Sequence, residues 1–419
     1  MADAARSETD RATRRGDRIP LLVALVTALV LRVSFQLANP PRLSDDRDAY
    51  LTLAESVATT GQYGWGPPTA FRPPLYPLLL VPAVWLGQFV PAATPLGVAL
   101  LNLAATAATL LIVASVADRT FGSRRASFVA VSILATSPLA IVYSASPMTE
   151  TLCGSLVAGL VWVSVRFRDC PGRANALMWG VIAGLAALCR PTMWVAAAFV
   201  WLSLLVGTRE WRRLLLGGAA MLVVVSPWVV RNLVELGSPV VMTTHGGYTL
   251  ALGNNADFDR DVVQVGWRVL WERGQQRWIA ERQAAFERAG LTTELQQDAA
   301  HRSDAVEWIT QNPTRFAAAC WLRLRRFWSP IPLGEQSALM KAIVAVWSIG
   351  LFAVATVGAW RTRHRDKVAL ALLLSPVVAF TAVHLVYWAN ARMRLPIEPA
   401  LALLAAGAVV RRRPSDATP

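Results

Sequence analysis

Three aspartates fall within four positions, Asp45, Asp46 and Asp48, with Tyr50 and Glu55 close behind and Arg72-Pro73-Pro74 closing the stretch. Carboxylates crowded beside a hydrophobic segment are costly to keep ionised unless they pair, bind a cation or do chemistry. A carboxylate can take the proton of an attacking hydroxyl while guanidinium groups hold a departing phosphate. On residues alone, a solvated acidic loop with a helix cap stays open beside that reading. Later segments return acids, arginines and asparagines to the same side: Glu150, Arg190, Arg231, Asn232, His245, Asn254, Asn255, Arg392, Arg394 and Glu398. Neither a serine nucleophile motif nor a phosphate-binding glycine loop accompanies them. Group transfer from a lipid phosphate to a hydroxyl is the chemistry that this set suits.

The elements that must position these residues are membrane helices. The chain has 419 residues, 54% of them hydrophobic and 16% charged, and a mean hydropathy of +0.41. Its apolar residues come in blocks of about 17–23, the length that crosses a hydrocarbon core as a helix. The formal charge of +14 comes from arginines that punctuate these blocks rather than forming one stripe. That pattern is a topology signal and argues against nucleic-acid binding. Cys153, Cys170, Cys189 and Cys320 are scattered, and there are only four histidines, so neither a disulfide framework nor a zinc spacing is present.

Apolar spans are expected at 19–38, 95–117, 126–143, 151–165, 176–189, 193–206, 214–230, 339–360, 368–388 and 400–410. The fold class is thus all-α polytopic, with about ten transmembrane helices. Each expected inner loop holds at least three basic residues, which places both termini in the cytoplasm. Residues 1–18 and 411–419 are cytoplasmic tails in this scheme, and the first span is uncleaved. The proline-broken stretch 74–90 lies at the outer interface, because a crossing there would turn the basic loop at 118–125 outward. Residues 19–230 form an amino-terminal transmembrane module with a first outer loop at 39–94, and 339–410 supply the carboxy-terminal helices. Arg32 either snorkels or contacts a phosphate or the loop carboxylates.

Residues 231–338 form the large outer loop, with twelve arginines against twelve acids. Trp267, Leu270, Trp271 and Trp278 recur at helical spacing, as do Phe316, Cys320, Leu324, Phe327 and Trp328. Such helices suit the headgroup layer, with core packing in a small outer domain as the alternative. No acid sits convincingly in mid-span, which counts against a carrier.

DDRDAYLTLAESV, FRPPLYPLLL, YSASPMTETL, ALCRPTMW, SPWVVRNLVELGSPVVMTTHGGYTLALGNN, EWITQNPTRF and ARMRLPIEPALALLAA follow one another along the chain. In that order they resemble the polytopic GT-C glycosyltransferases, above all the protein O-mannosyltransferases and bacterial aminoarabinose transferases that use polyprenyl-phosphate sugars. The resemblance implies that Asp46, four before Tyr50, is the catalytic base or acceptor-orienting carboxylate, with Asp45 and Asp48 able to stand in. It implies acceptor or metal binding for Glu150, an N-cap being the alternative. Arg72, Arg190, Arg231 and Arg394 become contacts to the donor phosphate, each against a role as an interfacial anchor. His245, Gly247, Tyr248, Asn254 and Asn255 become a substrate-facing loop, a plain turn being equally compatible.

The expected activity is transfer of a sugar from a polyprenyl-phosphate donor to a hydroxyl on a lipid, glycan or protein, with inversion, at the outer face of the plasma membrane. A divalent cation stays open as a cofactor. A flippase for lipid-linked sugars and a non-catalytic assembly partner are the alternative readings.

Overall fold

The structure is a computed structural model, and it describes residues 19–334 and 336–410. The two expected tails, 1–18 and 411–419, lie outside the described residues. Helices dominate, and no β-strand occurs among the described residues. Six helices are long and apolar enough to cross a membrane: Ile19–Ala38, Ala93–Phe121, Glu150–Asp169, Trp211–Leu236, Ala338–Arg363 and Lys367–Val386. The first shows why. Only Ala24, Ala28, Arg32 and Gln36 are buried, one stripe at a spacing of four, while Leu22, Val23, Val26 and Val30 stand exposed on the other faces. A helix with apolar residues on its exposed faces is built for lipid.

Leu75–Gly87, Arg173–Cys189 and Thr192–Thr208 are shorter apolar helices. Arg173–Cys189 packs along Trp211–Leu236 through a seam of small residues. A methyl on Gly180 would lie 2.1 Å from the carbonyl oxygen of Gly217, so the two backbones meet where only glycine fits. The short helix ends at Arg190, whose extended backbone (φ −150°, ψ 136°) is what a residue before proline prefers.

Three expected spans differ from the sequence reading, one of them, 368–388, only because its helix ends at Val386. The stretch 126–143 is not one helix but two, Arg124–Ala135 and Pro138–Tyr143. Pro138 cannot continue the first helix, and Ser137 caps the second by accepting from the Ala140 amide. Arg32 resolves the break: its guanidinium donates to the carbonyls of Leu134 (2.9 Å) and Ala135 (3.2 Å). It therefore neither snorkels nor faces the loop acids. The last apolar stretch starts earlier than expected, as a 3-10 turn at Ala391–Ile397 that leads into Glu398–Ala406. All nine residues of Glu398–Ala406 are buried, so this helix is central rather than peripheral.

The helix-to-helix turns near residues 122, 170 and 366 meet at one end of the bundle, where Arg119 and Arg168 pair with Asp169 and Arg168 also pairs with Asp366. The other end carries Tyr50–Thr60 and a helical module of Gly246–Gly253, Glu272–Arg288, Glu294–Gln311 and Pro313–Phe327. Trp271 and Trp278 are buried in that module with Phe258 and Val262. Core packing, not a headgroup-facing stripe, is their role, and Trp267 and Leu270 precede the helix that begins at Glu272. Arg323 and Arg326, which alternate with the apolar positions of Pro313–Phe327, are likewise buried. Their guanidiniums bond the carbonyls of Gly253, Leu385, Trp267 and Val269.

Candidate active site

The first loop is wound so that its three aspartates part company. Asp46 turns back on the following helix, accepting from the amides of Leu51 (3.0 Å) and Thr52 (2.8 Å) and from the Thr52 hydroxyl (2.9 Å). It acts as a helix cap. Asp45 pairs with the exposed Arg47. Between them and Tyr50, Ala49 adopts the left-handed conformation (φ 59°), at a cost of about 1–2 kcal/mol for a residue with a Cβ. That turn leaves Asp48 facing the other way, into a cavity of about 980 Å³ that Asp45 and Asp46 do not line. Of the three aspartates expected at the site, Asp48 is therefore the one that lines this cavity.

Asp48 lies 3.2 Å from Arg72 and 3.4 Å from Arg392. Glu150, the first residue of Glu150–Asp169, projects its Oε1 to within 3.1 Å of both Arg190 and Arg392. Arg392 therefore bridges two acids that are about a hundred residues apart in sequence. Arg72 is held between the rings of Tyr50 (5.8 Å) and Phe71 (5.4 Å), and Arg190 also reaches the Met393 sulfur (3.2 Å). The cavity lining holds five arginines, Arg47, Arg72, Arg190, Arg302 and Arg392, against the carboxylates Asp48, Glu150 and Asp298. Such a surplus attracts an anion.

Across the cavity stand Phe71, His245 and Tyr248, with ring centroids 4.4 Å apart for Phe71 and His245 and 5.1 Å for His245 and Tyr248. Burial, then the nearby Arg72 and His301, drives the His245 imidazole well below its usual pKa, so it is neutral at pH 7. Burial likewise pushes the Tyr50 phenol up to about 12.

Several expected site residues lie outside the cavity lining and bond within the protein. Arg231 donates to the carbonyls of Thr69 (2.8 Å) and Tyr63 (2.6 Å), tying the first loop to Trp211–Leu236. Arg394 donates to the carbonyls of Phe327 (2.6 Å) and Ser329 (3.2 Å) and is only 1% exposed. Neither lines the cavity. Asn254 bonds the carbonyls of Leu250 and Val386 and accepts from Arg323. Asn255 caps the next turn through the Phe258 amide. Gly247 seats one helix on another: a methyl there would lie 2.1 Å from the Asp298 carbonyl oxygen. His245 and Tyr248 do line the cavity, as do Arg72, Arg190 and Glu150. Arg47, Arg392, Asp298 and Arg302 complete the charged lining; sequence reasoning placed Arg392 on the same side as the site without giving it a role, and did not single out the other three. The ARMR run was a cue for Arg392; nothing local marked Asp298 or Arg302.

A divalent cation finds no group of three or more His, Cys, Asp or Glu side chains among the described residues. Two acids of the cavity, Asp48 and Glu150, are each paired with guanidinium groups.

Residues 72–230 match the family model described as dolichyl-phosphate-mannose-protein mannosyltransferase, a stretch that includes Arg72, Glu150 and Arg190 but neither Asp48 nor Arg392. No curated protein matches the chain. Among solved structures it is similar to the archaeal oligosaccharyltransferase AglB from Archaeoglobus fulgidus, in complex with an inhibitory peptide and a dolichol-phosphate. The identity is 15% and the TM-score 0.53, over 93% of this chain and 50% of AglB. A form of the Archaeoglobus fulgidus oligosaccharyltransferase with Zn and sulfate aligns at 14% identity and TM-score 0.52, over 92% of this chain and 48% of that one. ArnT from Cupriavidus metallidurans bound to undecaprenyl phosphate aligns at 15% identity and TM-score 0.42, over 94% and 77%. The chain spans about half the length of the oligosaccharyltransferase it matches. It has the membrane fold of the GT-C glycosyltransferases, and its residues 72–230 carry the pattern of the dolichyl-phosphate-mannose-protein mannosyltransferases.

Proposed function

We propose that this protein is a membrane glycosyltransferase that moves a sugar from a polyprenyl-phosphate donor to a hydroxyl acceptor. The observation that carries the reading is the cavity in which Arg72, Arg190 and Arg392 converge on Asp48 and Glu150. The acceptor oxygen attacks the anomeric carbon, and the bond from that carbon to the phosphate oxygen breaks with its electron pair leaving on the phosphate. Asp48 takes the hydroxyl proton. Arg72, Arg190 and Arg392 hold the phosphate as its charge grows, an interaction stronger in the transition state than in the ground state. Direct displacement inverts the anomeric configuration. The basic loops at the far end of the bundle support a cavity facing outward from the cytoplasm.

Direct binding tests this. The full chain in lipid nanodiscs is expected to bind polyprenyl monophosphate, and Arg392→Ala to weaken it at least tenfold, since a charge-assisted contact to a phosphate contributes about 1.5–3 kcal/mol. Equal affinity in wild type and Arg392→Ala would remove the phosphate site.

A further inference from the structure

Behind Glu150 lies a second, small half-open chamber of about 50 Å³, lined by Arg32, Thr106, Tyr143, Glu150, Gly154 and Glu398 among others. It is separate from the large cavity, and Glu150 lines both. Three side-chain atoms of its wall residues have no protein partner: Arg32 Nε, Glu150 Oε2 and Glu398 Oε1. Their residues are 3%, 3% and 2% exposed. A buried polar atom left alone costs about 1–3 kcal/mol, and native interiors satisfy such atoms with ordered water that makes about three hydrogen bonds.

The donor and acceptor count fits one water. A water can accept from the Arg32 Nε–H and donate one hydrogen to each carboxylate. The remaining atoms of the three side chains are already committed. Glu398 Oε2 accepts from the Ser137 hydroxyl (2.7 Å), Glu150 Oε1 faces Arg190 and Arg392, and the Arg32 terminal nitrogens hold backbone carbonyls. We propose that Glu398 is a positioning residue for the transfer reaction: through water in this chamber it fixes the inner oxygen of Glu150. The carboxylate that grips Arg190 and Arg392 is thereby held in register. This rests on the transferase reading of the large cavity. Glu398 itself touches no substrate.

A double-mutant cycle tests it, using full-length wild type, Glu398→Gln, Glu150→Gln and the double variant in nanodiscs. Glutamine keeps the shape of Glu398, but its amide can turn a donor toward the water. Glu398→Gln is expected to weaken polyprenyl-monophosphate binding about fivefold to tenfold and to add nothing in the Glu150→Gln background, as coupled neighbours do. An equal loss in both backgrounds would show a merely structural role and overturn the proposal. The bridge is judged apart from the donor by two readouts: non-additive unfolding midpoints of the four proteins, and density for water in the wild-type chamber at high resolution. Additive midpoints sink the bridge, and so does a dry wild-type chamber, which is read even if Glu398→Gln fails to fold. A wild type that ignores polyprenyl monophosphate would instead sink the transferase reading.

Discussion

Replacing Asp48 with asparagine separates proton transfer from phosphate binding. The carboxamide keeps the volume of the side chain but removes the negative charge that lies 3.2 Å from Arg72 and 3.4 Å from Arg392. Losing a positioned base slows such a reaction about 10²–10⁴-fold. Donor affinity should move the other way. Two unit charges about 5 Å apart at an effective dielectric of about 20 repel by about 3 kcal/mol, and exposure to the open cavity screens this to about 1 kcal/mol. Asp48→Asn should therefore bind polyprenyl monophosphate about fivefold more tightly while turnover collapses. Asp46→Ala is the matched control: it loses a helix cap, costing about 1 kcal/mol of stability, and keeps its turnover. The assay is incorporation of labelled sugar from the lipid-linked pool in membrane vesicles, with donor binding measured on the purified chain. Turnover by Asp48→Asn at the wild-type rate, or loss of turnover by a folded Asp46→Ala, would refute the assignment.

Arg394→Ala should lower the yield of folded protein, because it strips donors from the buried carbonyls of Phe327 and Ser329 at about 1–3 kcal/mol each. The fraction that folds should bind polyprenyl monophosphate as the wild type does; a selective loss of binding would restore Arg394 to the site. His301 is held neutral, its pKa lowered to about 4 by burial and then by Arg282, against about 6.5 in the unfolded chain. Between those values the unfolded state binds the extra proton, so stability falls as pH drops from about 6.5 toward 4 and is fully present above that window. Thermal unfolding across this range should show the slope in wild type and a flatter one in His301→Phe; equal slopes would refute it.

Much of the architecture was legible in the chain because it is local. Span length, lipid-facing composition and basic connectors depend on neighbouring residues, and seven of the ten expected spans sit inside single helices. The departures arose where a residue's partner was remote. Pro138 splits an apolar run that reads as continuous, and the break is stable because Arg32, on another helix, supplies donors to the freed carbonyls. The tryptophans of 267–278 left an interfacial stripe and a packed core both open, because nothing nearby reveals Phe258 and Val262 beneath them.

The site divides along the same line. Residue type and order alone determined that acids and arginines would gather at one end of a helical membrane bundle, since a charge in a mostly apolar chain has few places to go. Which of them face the cavity was decided only by the packed structure. A guanidinium can satisfy a carboxylate, a phosphate or a pair of backbone carbonyls equally well, so Arg72 and Arg190 cannot be told from Arg231 and Arg394 until their neighbours are in place. Asp46 and Asp48 differ by two positions, and the left-handed turn at Ala49 sends one to a helix end and the other to the cavity.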